Sequence, residues 1–89
     1  MIAVAPALIE ATLIDLMAEH GSGKSFSPTD AARRLGGGHP DGWGPLMQPI
    51  RKIAIDMALQ GRIVILRKGR PVDPADFKGV YRLTMPHHE

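Results

Sequence analysis

Apolar and polar positions along the chain alternate between two periods, and the change of period divides it into a helical part and an extended part. Ile9, Leu13, Leu16 and Met17 recur at helical spacing, while Glu10, Asp15 and Glu19 fall elsewhere. This predicts a helix over Pro6 to His20. Pro6 suits the first helical position, and Gly21 supplies a left-handed stop. Ser27-Pro28-Thr29-Asp30 has the grammar of a capping box, which predicts a second helix over Pro28 to Leu35, ended by Gly36-Gly37-Gly38. The stripe Leu46, Ile50, Ile53, Ala54 and Met57 predicts a third and longest helix over Leu46 to Gln60, with a preceding turn at Trp43. Pro49 disrupts the bonding of the turn before it, so regular helix is expected to begin near Pro49 or to kink there.

Beyond Gly61 the period shortens. Ile63-Val64-Ile65-Leu66 is a β-branched and aliphatic run, so Arg62 to Arg67 reads as a strand, with Val80 to Met85 as its partner. The connection, Lys68 to Gly79, is long for a hairpin, and Asp73-Pro74-Ala75-Asp76 repeats a helix-start pattern that can hold one helical turn. Lys24-Ser25-Phe26 leaves room for a very short strand. The order is helix, short strand, helix, helix, strand, long loop, strand. It predicts an α+β fold of the winged-helix type, a helix-turn-helix core with a two- to three-stranded antiparallel wing.

Composition then limits what such a fold can do. Eighty-nine residues make one small domain, residues 1–89, with about two-thirds of its unfolded surface to bury. Aromatics are 4% of the chain, so the core must be aliphatic and filled with Met. With no Cys there is no disulfide framework, thiolate metal site or cysteine nucleophile. The first residues carry no positive segment, and no run approaches the roughly 20 apolar residues that span a bilayer, so the expected location is the cytoplasm.

The net charge of +2 conceals an asymmetry. Residues 1–47 hold three cations and five acids, a balance of −2, whereas residues 48–89 hold eight cations and four acids, a balance of +4. A polyanionic partner must therefore be met by the C-terminal half.

Within that half two groups stand out. Gln48, Arg51 and Lys52 occupy the outward face of the third helix in its N-terminal part, the part that enters a major groove in helix-turn-helix proteins. Arg pairs with guanine and Gln with adenine through two hydrogen bonds. Arg67, Lys68 and Arg70 place three cations beside a Gly at the wing, where they can hold phosphates. Against this, Asp73 and Asp76 lie close enough in sequence to neutralise the wing, and Asp56 repels phosphate. Ile55 and Leu59 share the outward face of the third helix and suit a dimer or another protein surface. Two readings follow: a module that binds double-stranded DNA, and a protein-interaction or dimerisation module on the same scaffold.

Three segments stand out as runs: Trp43-Gly44-Pro45-Leu46-Met47-Gln48-Pro49-Ile50-Arg51, Gly61-Arg62-Ile63 and, most specifically, Lys68-Gly69-Arg70-Pro71-Val72-Asp73-Pro74. They resemble a bacterial family of uncharacterised domains, the domain of unknown function 3253 family. Phe77-Lys78-Gly79 and Arg82-Leu83 continue the likeness. The resemblance implies a winged-helix-like fold and no established activity.

Other motifs point to no chemistry. Gly21-Ser22-Gly23-Lys24-Ser25 lacks the earlier Gly of a phosphate loop, since position 18 is Ala18, and it follows a helix instead of a strand. Trp43 is more readily a packing anchor than a base-stacking platform. His20 and His39 are isolated, and His87, His88 and Glu89 are adjacent at a terminus, so no metal spacing arises. No triad or carboxylate pair is present, and neither catalysis nor a cofactor is expected.

Overall fold

The computed structural model describes residues 4–86. Helix α1 runs Pro6–His20 and is followed by β1, Ser25–Phe26. Helix α2 covers Pro28–Gly36, and a short helix α3, Pro40–Trp43, leads through a 3-10 turn, Gly44–Leu46, into α4, Met47–Leu59. Strands β2, Val64–Arg67, β3, Arg70–Pro71, and β4, Arg82–Thr84, complete an α+β fold.

The helix ends obey local chemistry. Ser27 Oγ accepts the Thr29 amide at 3.1 Å, and the Asp30 carboxylate accepts the Ser27 amide at 3.1 Å, so both sides of the capping box are made. Gly61, at φ 74°, closes α4: its amide bonds to the Ala58 carbonyl and the Arg62 amide to the Met57 carbonyl, the paired bonds of a Schellman end. Helix α4 begins at Met47, two residues ahead of Pro49. Pro49 is tolerated because it falls in the first turn, where amides have no intrahelical acceptor.

The sheet order is β1-β4-β2-β3, all neighbours antiparallel. The last strand is thus an inner strand, pairing Leu83 with Phe26 on one side and with Ile65 on the other. Phe26, Ile65 and Leu83 point from one face of the sheet into a core completed by Ile9, Leu13, Ile50 and Met57, all essentially inaccessible to water.

Five expectations change. The antiparallel sheet has four strands instead of two or three, and α1, with 15 residues, is longer than α4, with 13. The strands are shorter, starting at Val64 and at Arg82. Residues 68–79 do not form one long connection. Lys68 (φ 53°) and Gly69 (φ 81°) make a two-residue turn with both φ values positive, so Arg67 pairs with Arg70 and the chain doubles back as β3. The strap that follows, residues 72–81, carries no helical turn. Asp73 Oδ1 accepts the Ala75 amide at 2.9 Å and its carbonyl accepts the Asp76 amide at 3.1 Å, an Asx turn in which the side chain replaces a further turn of helix.

Candidate nucleic-acid interface

The strap is fastened to α4 and to the hairpin by arginines. Arg51 donates to the Phe77 carbonyl at 3.0 Å, and its guanidinium lies 4.4 Å from the centroid of the Phe77 ring. A flat, weakly hydrated cation is suited to this double contact. Phe77 in turn meets Tyr81 edge-on at 5.4 Å. Arg67 donates to the Lys78 carbonyl from the neighbouring strand. Arg82 ties β4 to β1 through the Ser25 hydroxyl at 2.7 Å and the Ser25 carbonyl at 2.9 Å. Arg62 pairs with Glu10 and Arg34 with Glu19.

These contacts divide the six residues expected to meet nucleic acid. Gln48 and Lys52 are exposed on α4, and Lys68 and Arg70 are exposed at the hairpin turn. Arg51 is half-buried and turned sideways onto the strap, so its donors are not aimed outward with those of Gln48 and Lys52. Arg67 is half-buried at the end of β2, beside the turn and opposite Arg70, holding backbone. The structure thus brings Lys68 and Arg70 together at the turn and assigns Arg51 and Arg67 internal contacts.

The acids do not cancel the turn by direct pairing. Among the described residues the ion pairs are Arg34–Glu19, Arg62–Glu10 and His39–Asp41, and none involves Asp56, Asp73 or Asp76. Asp73 uses one carboxylate oxygen on its own turn. Lys52, Lys68, Arg70 and Lys78 are exposed and have no hydrogen-bonded or ion-paired side-chain partner among the described residues.

The two outward aliphatics of α4 separate. Ile55 is half-buried against the core, whereas Leu59 is 62% exposed. Sequence reasoning missed a third aliphatic. Val80, placed in a strand by its β-branched character, precedes β4 and is 88% exposed. Lys78 enters the sequence reading only through the family likeness, because it lies away from the Gly69 turn that marks out Lys68 and Arg70. The only warning of either was Gly79, whose φ of 87° marks a turn that sets the residues beside it apart from the strand.

The remaining polar residues have structural tasks. Trp43 packs against the core, with the Arg33 guanidinium 5.5 Å from its ring centroid. His39 Nδ1 accepts the Asp41 amide at 3.1 Å and caps α3. His20 lies against Phe26, ring centroids 5.5 Å apart. The Tyr81 hydroxyl is buried with no partner among the described residues, and burial pushes its pKa up to about 12, opposed in part by Arg51. Among the described residues no three His, Asp or Glu side chains converge on a metal position, and His87, His88 and Glu89 lie outside them. No described helix is long and apolar enough to cross a membrane.

The α+β architecture with its inner C-terminal strand defines the class. Within it, the profile of the family described as protein of unknown function (DUF3253) matches residues 6–86, and the chain belongs to that family. The match takes in α1, the α2–α4 region, the hairpin and the strap, so the Lys-Gly-Arg-Pro turn and the Arg51-held strap lie within it. No curated protein matches the chain.

Proposed function

We propose that the chain is a winged-helix module that binds double-stranded DNA, without catalysis of its own. Three features support the fold reading. The elements follow the order helix, strand, helix, short helix, helix, strand, strand, strand; α2 and α4 pack together as the helix pair, and the β2–β3 turn with the strap that leads on to β4 forms the wing. The observation that carries the ligand is the turn Lys68-Gly69-Arg70. Its cations are exposed and have no ion-pair partner among the described residues, Lys68 within the two-residue turn and Arg70 just after it, with Lys78 on the adjoining strap. Gln48 and Lys52 on the exposed face of α4 are the groove-reading residues.

With about four phosphates neutralised by Lys52, Lys68, Arg70 and Lys78, the logarithm of affinity should fall with the logarithm of salt at a slope of about −3 to −4. Fluorescence anisotropy on a random 20-base-pair duplex, read between low and physiological salt, tests this. A flat salt response, or no binding at about 50 μM protein in low salt, sinks the proposal.

The exposure of Leu59 favours a second reading, a dimer or other protein contact on α4 through Ile55 and Leu59. Half-burial of Ile55 leaves that contact a single prominent side chain. Sedimentation of the wild type and of Leu59→Glu separates the two. Self-association that Leu59→Glu abolishes, together with no DNA binding, replaces the first reading with the second.

A further inference from the structure

Strand β2 is apolar on both of its faces, although helices cover only one. Ile63, just before it, and Ile65 within it point into the core and are almost fully buried. Val64 and Leu66 alternate with them and point to the opposite face, where both are half-buried. An antiparallel sheet with helices on one side normally turns polar residues outward. Here Val64 and Leu66, with Pro71 of β3 and Met85 just beyond β4, line a shallow depression of about 470 Å³ to which no helix residue contributes. A second depression, of about 270 Å³, adjoins it through the shared residues Ser25, Leu66 and Gly69, and reaches Val80, which is 88% exposed. The outer face of the sheet is therefore one apolar trough that runs from Met85 across β2 to Val80.

The polar groups of this face are already paired with one another. Arg82 donates to the Ser25 hydroxyl at 2.7 Å and to the Ser25 carbonyl at 2.9 Å, and the Thr84 hydroxyl donates to the Lys24 carbonyl at 2.8 Å. Covering them breaks few bonds to water. The charged side chains that line the two depressions are Arg67, Lys68 and Arg82, all cations, and no acid joins them. The edges of the sheet are poor templates for an added strand. Strand β1 is two residues long, and β3 carries Pro71, which has no amide to donate. An occupant of the trough must therefore satisfy its own backbone hydrogen bonds, as a helix does.

Independently of the DNA reading, we propose that the outer sheet face docks an amphipathic helix of a partner protein. The apolar stripe of that helix lies over Val64, Leu66 and Val80, and its Asp or Glu residues meet Lys68 and Arg82. Arg67, engaged with the Lys78 carbonyl, borders the trough without being free to pair.

A phage library of peptides about 15 residues long, patterned as amphipathic helices with every polar position randomised, supplies the probe. Selection on the folded chain should enrich Asp and Glu beside the apolar stripe. Binding of one enriched peptide, synthesised with a fluorophore, is then followed by anisotropy. Val64→Thr and Leu66→Thr place a strand-favouring residue on β2 but remove apolar surface, and each should weaken binding about five- to tenfold. Val80→Ser should weaken it by about as much. Lys68→Ala should weaken it about two- to fivefold and reduce its salt dependence. Leu8→Gln, on the exposed side of α1, should bind as the wild type does. Circular dichroism verifies folding, and if the β2 variants melt early, Val80→Ser on its exposed site carries the test.

No enrichment of acidic peptides, or peptide binding unchanged by all three apolar substitutions, overturns the docking face and leaves the DNA reading standing. A wild-type dimer in sedimentation that Leu66→Thr dissociates overturns it in favour of a second copy of the chain. Random duplex binding that falls with Val64→Thr and Leu66→Thr as much as peptide binding does overturns it in favour of nucleic acid.

Discussion

The anchor of the strap and the tip of the hairpin are built from the same basic residue types and use them in opposite ways. At the anchor, Arg51 of α4 and Arg67 of β2 hold the strap by backbone carbonyls and the face of Phe77. At the tip, Lys68 and Arg70 make no such contact among the described residues, although Arg70 pairs with Arg67 across the turn. The difference follows from position more than from charge. A guanidinium beside carbonyls and an aromatic ring finds planar contacts that remain favourable when half-buried, whereas a cation on a two-residue turn has only water beside it. A balance of +4 over residues 48–89 therefore overstates what is available to a partner, and the available part is carried mainly by lysines.

Removing the Phe77 ring from the anchor should have the largest effect. Phe77→Ala leaves a cavity and deprives Arg51 of its platform, and should lower unfolding free energy by about 3 kcal/mol in urea titration. Arg51→Lys keeps the charge but loses the flat contact and the fork, for about 1 kcal/mol. A melting curve unchanged by Arg51→Lys would erase the contrast between anchor and tip. Gly79→Ala places a side chain at φ 87° and 2.6 Å from the end of Arg67. To make room Arg67 must give up its bond to the Lys78 carbonyl, and this adds to the left-handed backbone cost for a loss of about 1 kcal/mol.

Tyr81→Phe should change neutral-pH stability by less than about 1 kcal/mol, since the buried hydroxyl has no protein partner to lose among the described residues. The difference appears in alkali. The unfolded tyrosine ionises near 10, while Tyr81 in the fold is pushed up to about 12. The folded state holds the proton more tightly, so this stabilisation is complete below about pH 10 and is lost as pH rises towards 12. Melting temperatures across that window should fall more steeply for the wild type than for Tyr81→Phe.

The smallest change is at the tip and has the opposite sign. Lys68 has φ 53°, a conformation better suited to Asn. Lys68→Asn should raise stability by a few tenths of a kcal/mol while weakening duplex binding and reducing the salt slope by about 1. Stability and binding that move together at this position would mean that the tip, too, is a structural contact.

Helices α1, α2 and α4 were legible because each carries its own punctuation: the Ser27–Asp30 box, Gly21 and Gly61, and the apolar stripes of α1 and α4; α3 was legible only as a turn at Trp43. Strand β1 was legible from the room that Lys24-Ser25-Phe26 leaves. Strand β3 was not, because the residue that opens its turn is a lysine in a left-handed conformation, and turn chemistry normally announces itself with Asn, Asp or Gly. The candidate site was half legible. Gln48, Lys52, Lys68 and Arg70 stand exposed, but an arginine gripping a carbonyl and one standing in water are the same letter. Arg51 and Arg67 were indistinguishable from Arg70 until the strap was placed over α4. Val80 was hidden by its β-branched character, which reads as strand interior.

The inner position of β4 constrains the order of assembly. Ser25 finds its partner, Thr84, only after the chain has travelled through every helix but the first and through both other strands. Contacts separated that far in sequence close slowly, since the intervening loop entropy is lost before the pairing rewards it. The helices can gather early, yet Phe26 and Ile65 stay without their common neighbour until Leu83 slides between them. On a ribosome, the strand that completes the sheet is the last to emerge, and the chain waits for it with both flanking edges open.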